Sequence, residues 1–370
     1  MRDDDVMGRA IALARAARCH TAPWPAVGCV LVRDGEVVGE GATGPFPTGP
    51  HAEVAALRDA GDRAPGATAY STLEPCDHHG NTPPCTEALI GAGVTRVVVA
   101  VDDPDEKVSG RGYARLRAAG IDVQAGVGTA EAARDLAPYL HHRRTGRAFM
   151  VAKVALSLDG RVAAADGTSQ WITSEAARAD AHELRADSQA VVVGAGTALA
   201  DRPALTVRGV HVAPARAPLR VLLDARGRVP ADGPLFDPAL GPTLVVTTEH
   251  AGSGAVDAWR AAGAKVETVA PGASGSGVDL AAASAVLGRE GVLQALVEGG
   301  GTLLGAVVDG GHAQRLVAYV APMLLGAGGV PGFAYAGPST LADAPRWDIV
   351  DVTRVGTDVR IDLEPRPGAS

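Results

Sequence analysis

His51, Cys76 and Cys85 constrain this chain more than any other feature. One imidazole nitrogen and two thiolates can hold a zinc ion and leave its fourth tetrahedral position open to water, as in a catalytic rather than a closed structural site. Three separate segments must then converge on one point. Residues 41–50, with three Pro and three Gly, form a loop that delivers His51 to the start of a helix over 52–60. The run 67–73 predicts a strand, and Pro75 ends its ladder just before Cys76. Pro83-Pro84 opens another helix with Cys85 at its N-terminus, where the dipole favours a thiolate. Glu53, two residues past His51, is placed to move protons beside a zinc-bound water of pKa about 7 without being a ligand. A closed structural site would need a fourth ligand, for which His78 and His79 are the candidates; Glu53 favours the catalytic reading.

Composition narrows the setting. A length of 370 residues suggests two domains. With 46% hydrophobic and 21% charged residues the chain suits a globular fold, and with 4% aromatics its core must rely on Ala, Val and Leu. A net charge of −8 without a basic block excludes general nucleic-acid binding, yet a few Arg suffice for a phosphorylated small substrate. Lys occurs only at 107, 153 and 265, which singles out Lys153 on a predicted strand. Four Cys (19, 29, 76 and 85) could pair in a secreted protein. The acidic start Met1-Arg2-Asp3-Asp4-Asp5 precedes an amphipathic helix and does not read as a signal peptide. No apolar run reaches the ~18 residues of a membrane span. A reducing cytoplasm is therefore expected, where paired Cys are more often metal or catalytic sites.

Along the chain, periodicity predicts a helix over 4–18, a hairpin over 27–39 turning at Asp34-Gly35, strands over 94–101 and 121–125, and helices over 112–119 and 131–142. A new pattern starts at Phe149: a strand over 149–156, the turn Ser157-Leu158-Asp159-Gly160, and a helix over 173–186 capped by Thr173 or Ser174. Strands follow at 189–193, 219–224, 243–247, 265–269, 292–297 and 315–320, and within 347–363, with helices at 254–262 and 280–288. This alternation argues two layered α/β domains, 1–145 and 146–370. Glu298-Gly299-Gly300-Gly301-Thr302 follows a strand and opens a helix, either a phosphate cradle or simply a Gly-rich turn. It is not GxGxxG, so the Rossmann fingerprint is absent.

H-x-E followed by P-C…C is the signature of zinc nucleobase deaminases, whose usual C-x-x-C is here C-x8-C. With that spacing, and with Pro25-Ala26-Val27-Gly28-Cys29, Asp103-Pro104, Gly110-Arg111-Gly112, Ser169-Gln170-Trp171, Leu184-Arg185-Ala186 and Asp201-Arg202-Pro203-Ala204-Leu205-Thr206-Val207-Arg208, the chain resembles the bifunctional riboflavin-biosynthesis family RibD. The resemblance covers most of the chain. It implies a cytidine-deaminase-like α/β/α layered domain followed by a dihydrofolate-reductase-like α/β domain. Zinc on His51, Cys76 and Cys85 would activate water against the amino-bearing carbon of a diaminopyrimidinone ribosyl phosphate, with Glu53 as proton carrier. NADPH would then reduce the ribosyl group to ribityl. By resemblance, Ala155, Trp171, Thr197, Asp201 and Gly300, Gly301, Thr302, Leu303, Leu304, Gly305 and Ala306 contact NADPH. Lys153, Ser169, Arg185, Leu205, Arg208 and Glu298 contact the substrate, the two Arg as a bidentate phosphate clamp. The family also implies a homo-oligomer.

Three positions depart from the family pattern. Trp24 replaces the usual Asn between two prolines, to stack on the pyrimidine or to block it; Asn81 replaces a basic residue; and residues 46–50 replace a Gly-rich run. All surround the deaminase substrate and none is a metal ligand. They leave open a paralogue with an altered deaminase substrate, a reductase-only enzyme, or a zinc- and NADP-holding binder, which would have no need of Glu53.

Overall fold

Arg96–Val101 and Ala190–Gly194 are valine runs of the kind that forms strands buried on both faces, and each lies inside a sheet. The computed structural model describes residues 1–366 apart from Asn81 and Ser274. It divides into two units, Met1–Gly146 and Arg147–Ser370. The expectations attached to Asn81 lie outside the described residues.

The first unit is built from α1 (Asp3–Thr21), β1 (Gly28–Arg33), β2 (Glu36–Ala42), α2 (Ala52–Ala60), β3 (Thr68–Leu73), α3 (Cys85–Gly91), β4 (Arg96–Val101), α4 (Arg111–Ala118), β5 (Asp122–Ala125), α5 (Thr129–Asp135) and α6 (Ala137–Thr145). Its sheet runs β2-β1-β3-β4-β5, with β1 antiparallel to both neighbours and β3, β4 and β5 parallel. The hairpin turns at Asp34 and Gly35, both with positive φ. The single helix expected over 131–142 is two. Pro138 has no N–H to continue the α5 ladder and sits instead in the first turn of α6.

The second unit comprises β6 (Phe149–Ser157), β7 (Arg161–Ala163), α7 (Glu175–Ala186), β8 (Ala190–Gly194), α8 (Ala195–Asp201), β9 (Leu219–Leu223), β10 (Thr243–Thr247), α9 (Ser253–Ala261), β11 (Lys265–Thr268), α10 (Leu280–Arg289), β12 (Gln294–Val297), α11 (Gly301–Asp309), β13 (Arg315–Ala321), β14 (Val330–Pro331), β15 (Trp347–Val355) and β16 (Asp358–Pro365). Its nine-stranded sheet runs β11-β10-β9-β8-β12-β6-β13-β16-β15. The first seven are parallel; the closing hairpin β15–β16 is antiparallel. Ser174 is the cap of α7, accepting from Ala177 N at 3.3 Å. Asp180 accepts from Tyr319 Oη at 2.6 Å and from Arg360 Nη1 at 2.9 Å, which pins α7 to β13 and β16. The core is aliphatic, as the scarcity of aromatics requires. Its largest fully buried side chain is Trp259, whose Nε1–H is satisfied by Val229 O at 2.9 Å.

Candidate functional site

In the first unit, β3 gives out at Leu73 and the chain turns through Pro75 to Cys76, while His51 is the N-cap of α2 and Cys85 the first residue of α3. His51 Nδ1 lies 3.2 Å from Cys85 Sγ and 3.6 Å from Cys76 Sγ, and the three ligand atoms are all within 4.8 Å of one another. Zinc bonds of about 2.1 Å to N and about 2.3 Å to S at a tetrahedral angle set N and S about 3.6 Å apart, so this donor set fits zinc. None of the four cysteines is in a disulfide. The Cys76 thiol is drawn down to about 4, first by a hydrogen bond with Cys85 and then by His51, against the opposing effect of burial. Cys85 N also donates to Cys76 Sγ at 3.5 Å.

Thr82 Oγ1 stands 3.3 Å from His51 Nε2. With Nε2–H donating there, the tautomer is fixed and Nδ1 is the free ligand. Neither His78 nor His79 joins the cluster; His79 faces Glu87 at 3.7 Å. Glu53 is only 4% exposed, and burial followed by the neighbouring Cys76 raises its carboxyl above the usual range. Ser71 Oγ, 3.1 Å from Glu53 Oε1 and 2.9 Å from Leu73 O, divides one proton between them and orients the carboxylate. Beneath the Cys76 turn, Gly112 lets α4 approach: a Cβ there would meet Pro75 O at 2.1 Å. Trp24 stands edge-on to the His51 ring, centroids 5.5 Å apart, with Phe46 against its other side at 5.1 Å.

In the second unit, β8 and β12 are parallel neighbours whose carboxyl ends deliver α8 and the glycines before α11, the place where open α/β sheets take ligands. Gly300 N donates to Thr197 Oγ1 at 2.9 Å, joining the two segments. The first turn of α11 has no side-chain cap. Of residues 300–306, Gly300, Thr302 and Ala306 are exposed, whereas Gly301, Leu304 and Gly305 are buried. Cβ atoms on Gly301 and Gly305 would meet Pro331 O at 2.4 Å and Ala334 O at 2.7 Å, so these glycines serve packing. Ala155 is half-buried on β6, and Asp201 is exposed at the end of α8.

Glu298 gathers the basic residues. Arg185 donates Nε to Oε1 at 2.5 Å and Nη2 to Oε2 at 2.8 Å, while Lys153 Nζ lies 3.6 Å from Oε2. Burial pushes the Glu298 carboxyl up, but Lys153 and Arg185 outweigh it and bring it to about 2. Arg185 Nη1 also donates to Thr206 O at 2.9 Å, and Arg208 N to His182 Nδ1 at 3.3 Å. Leu205, buried with φ +54°, turns the chain toward this pair. Ser169 and Trp171 lie in the exposed segment before α7. Arg178 covers the Trp171 ring at 4.4 Å, and no hydrogen bond or ion pair among the described residues links either to Glu298. Thr82, Ser71 and His182 are the site residues that sequence reasoning missed. The H-E-L-R spacing of His182 and Arg185, one turn apart on α7, was the available signal for the last.

Comparison with known proteins covers both units. The RibD C-terminal domain model matches residues 148–361, and that of the cytidine and deoxycytidylate deaminase zinc-binding region matches 1–101. The chain is 42% identical to the riboflavin biosynthesis protein RibD of Escherichia coli K12, covering 98% of this chain and 99% of that one. It is equally identical to RibD of Mycobacterium tuberculosis, over 98% and 97%. A crystal form of Acinetobacter baumannii RibD superposes with TM-score 0.87 at 39% identity, covering 98% of this chain and 99% of that one. A deaminase/reductase from Thermotoga maritima superposes with TM-score 0.84 at 32% identity, with the same coverage. The chain belongs to the RibD family of bifunctional riboflavin-biosynthesis enzymes, a zinc-binding deaminase domain joined to a pyrimidine reductase domain.

Proposed function

We propose that residues 1–145 deaminate a diaminopyrimidinone ribosyl phosphate and that residues 146–370 reduce the ribosyl group of the product to ribityl with NADPH. The observation that carries the first half is the convergence of His51, Cys76 and Cys85 beside the buried Glu53. Zinc held there supplies a Lewis acid that makes water acidic near neutral pH. Glu53, its carboxyl raised by burial, takes the proton of the attacking water and returns it to the departing ammonia. Ser71 keeps one carboxylate oxygen oriented while the other turns to the substrate. Trp24, against the ligand His51, forms a wall of the same pocket.

In the second domain, Thr197, Asp201, Ala155, Trp171 and the start of α11 are assigned to NADPH, which supplies the reducing equivalents. Lys153, Ser169, Arg185, Leu205, Arg208 and Glu298 are assigned to the substrate. The joining of Gly300 to Thr197 and of Lys153 and Arg185 to Glu298 supports these two groupings. Full-length similarity to RibD favours this reading over an altered paralogue or a reductase-only enzyme, and the intact Glu53 argues against a pure binder.

A homo-oligomer is part of the proposal. The edge strand β15 leaves Ile349 and Val352 64% and 57% exposed, and light scattering giving one chain mass would remove that part. A cytoplasmic location fits cysteines that form no disulfide, and no helix among the described residues is long and apolar enough to cross a membrane.

The test supplies zinc-loaded protein with the diaminopyrimidine phosphate and measures ammonia, then NADPH oxidation. Wild type releases ammonia and oxidises NADPH. Glu53→Gln retains zinc but loses deamination by about 10²–10⁴-fold. Full ammonia release by this variant sinks the assignment of Glu53.

A further inference from the structure

A substrate phosphate needs donors that the protein has not already committed. Arg185 commits three of its five N–H groups to Glu298 and Thr206, and Lys153 Nζ lies 3.6 Å from the same carboxylate. Arg208 differs: among the described residues its exposed guanidinium has no hydrogen-bond or ion-pair partner, although its backbone N–H is bound by His182 Nδ1 at 3.3 Å. A neutral imidazole that accepts at Nδ1 carries its proton on Nε2. That Nε2 has no partner among the described residues, and His182 is half-buried one turn before Arg185 on α7. Burial comes first, and then Arg185, Arg208 and Lys153 outweigh Glu298; together they favour the neutral form of His182.

We propose that His182 binds the substrate phosphate: its Nε2–H adds a donor beside the Arg208 guanidinium, and the Arg185–Glu298 pair, besides its own substrate contacts, holds residues 206–208 against α7. The proposal rests on the reductase reading above. The charges agree with it. Lys153, Arg185 and Arg208 against the single Glu298 leave two positive charges, which match a phosphate of charge about −1.5 to −2. A neutral donor adds a contact without adding charge. It also ties recognition to the backbone, because the Arg208 N–H that fixes the imidazole tautomer belongs to the residue carrying the second donor.

The experiment titrates ribose 5-phosphate and, separately, ribose into the full-length protein by calorimetry. Wild type is expected to bind the phosphate ester and not the free sugar. His182→Ala is expected to weaken that binding about tenfold, the equivalent of one hydrogen bond to a charged group. His182→Asn, whose amide can accept from Arg208 N and donate to phosphate, is expected to recover most of the loss. Equal NADPH affinity in all three proteins reports an intact fold. Ribose 5-phosphate affinity unchanged in His182→Ala overturns the proposal, as does an Nδ1–H tautomer of His182 by nitrogen NMR. Failure of wild type to bind ribose 5-phosphate also overturns it. Binding that depends on His182 without NADPH oxidation upholds the phosphate site and moves the failure to the reductase reading.

Discussion

Thr82 Oγ1, 3.3 Å from His51 Nε2, is placed to set the tautomer that frees Nδ1 for the proposed zinc. Thr82→Val removes the acceptor for Nε2–H, and zinc affinity is expected to fall about 10–100-fold in competition with a chromogenic chelator. Unchanged affinity would mean that Thr82 leaves the imidazole unaffected. Glu298 yields a pH prediction. Its folded pKa of about 2 lies below the ordinary 4.5, so the unfolded chain takes up a proton first as pH falls. The stabilisation is fully present above about 4.5 and is lost between about 4.5 and about 2, amounting to about 3 kcal/mol. Urea unfolding across this range should show the loss in wild type and a flatter dependence in Glu298→Gln. His51, Glu53, Cys76 and Cys85 were legible in sequence because metal chemistry restricts both residue type and spacing. Thr82, Ser71 and His182 were not. Hydroxyls and imidazoles are common, and their partners lie 31, 18 and 26 residues away, where only the fold brings them together.

The elements of greatest consequence are those that meet through glycine. α11 lies so close to residues 331–334 that Gly305→Ala would place a methyl 2.7 Å from Ala334 O. The expected cost is about 1–3 kcal/mol in thermal unfolding, with weaker NADPH binding by fluorescence titration as the helix start shifts. NADPH affinity equal to wild type would detach α11 from the cofactor site. Buried valine strands such as β4 and β8 were legible from their unbroken apolar runs. The pair β7–β14 was not, since strands of three and two residues carry no period. The separation of α5 from α6 was written in Pro138, but the apolar residues on both sides mask it.

At the scale of the molecule, two units carry two chemistries, each with its own sheet. Chelation of zinc is expected to abolish ammonia release while NADPH oxidation with the already deaminated pyrimidine continues; loss of both would show that the metal supports more than the first unit. The doubly layered α/β plan was legible from strand–helix alternation, whereas strand order was not, because non-local pairing leaves no local mark. The two units also differ as chromophores. Trp24 is the only tryptophan in residues 1–146; the others are Trp171, Trp259 and Trp347. Its indole stands 5.5 Å from the ring of the ligand His51. Light emitted by Trp24 therefore originates beside the proposed metal site, and a paramagnetic ion such as cobalt(II) seated there would quench it, giving this half of the chain an optical gauge of metal occupancy.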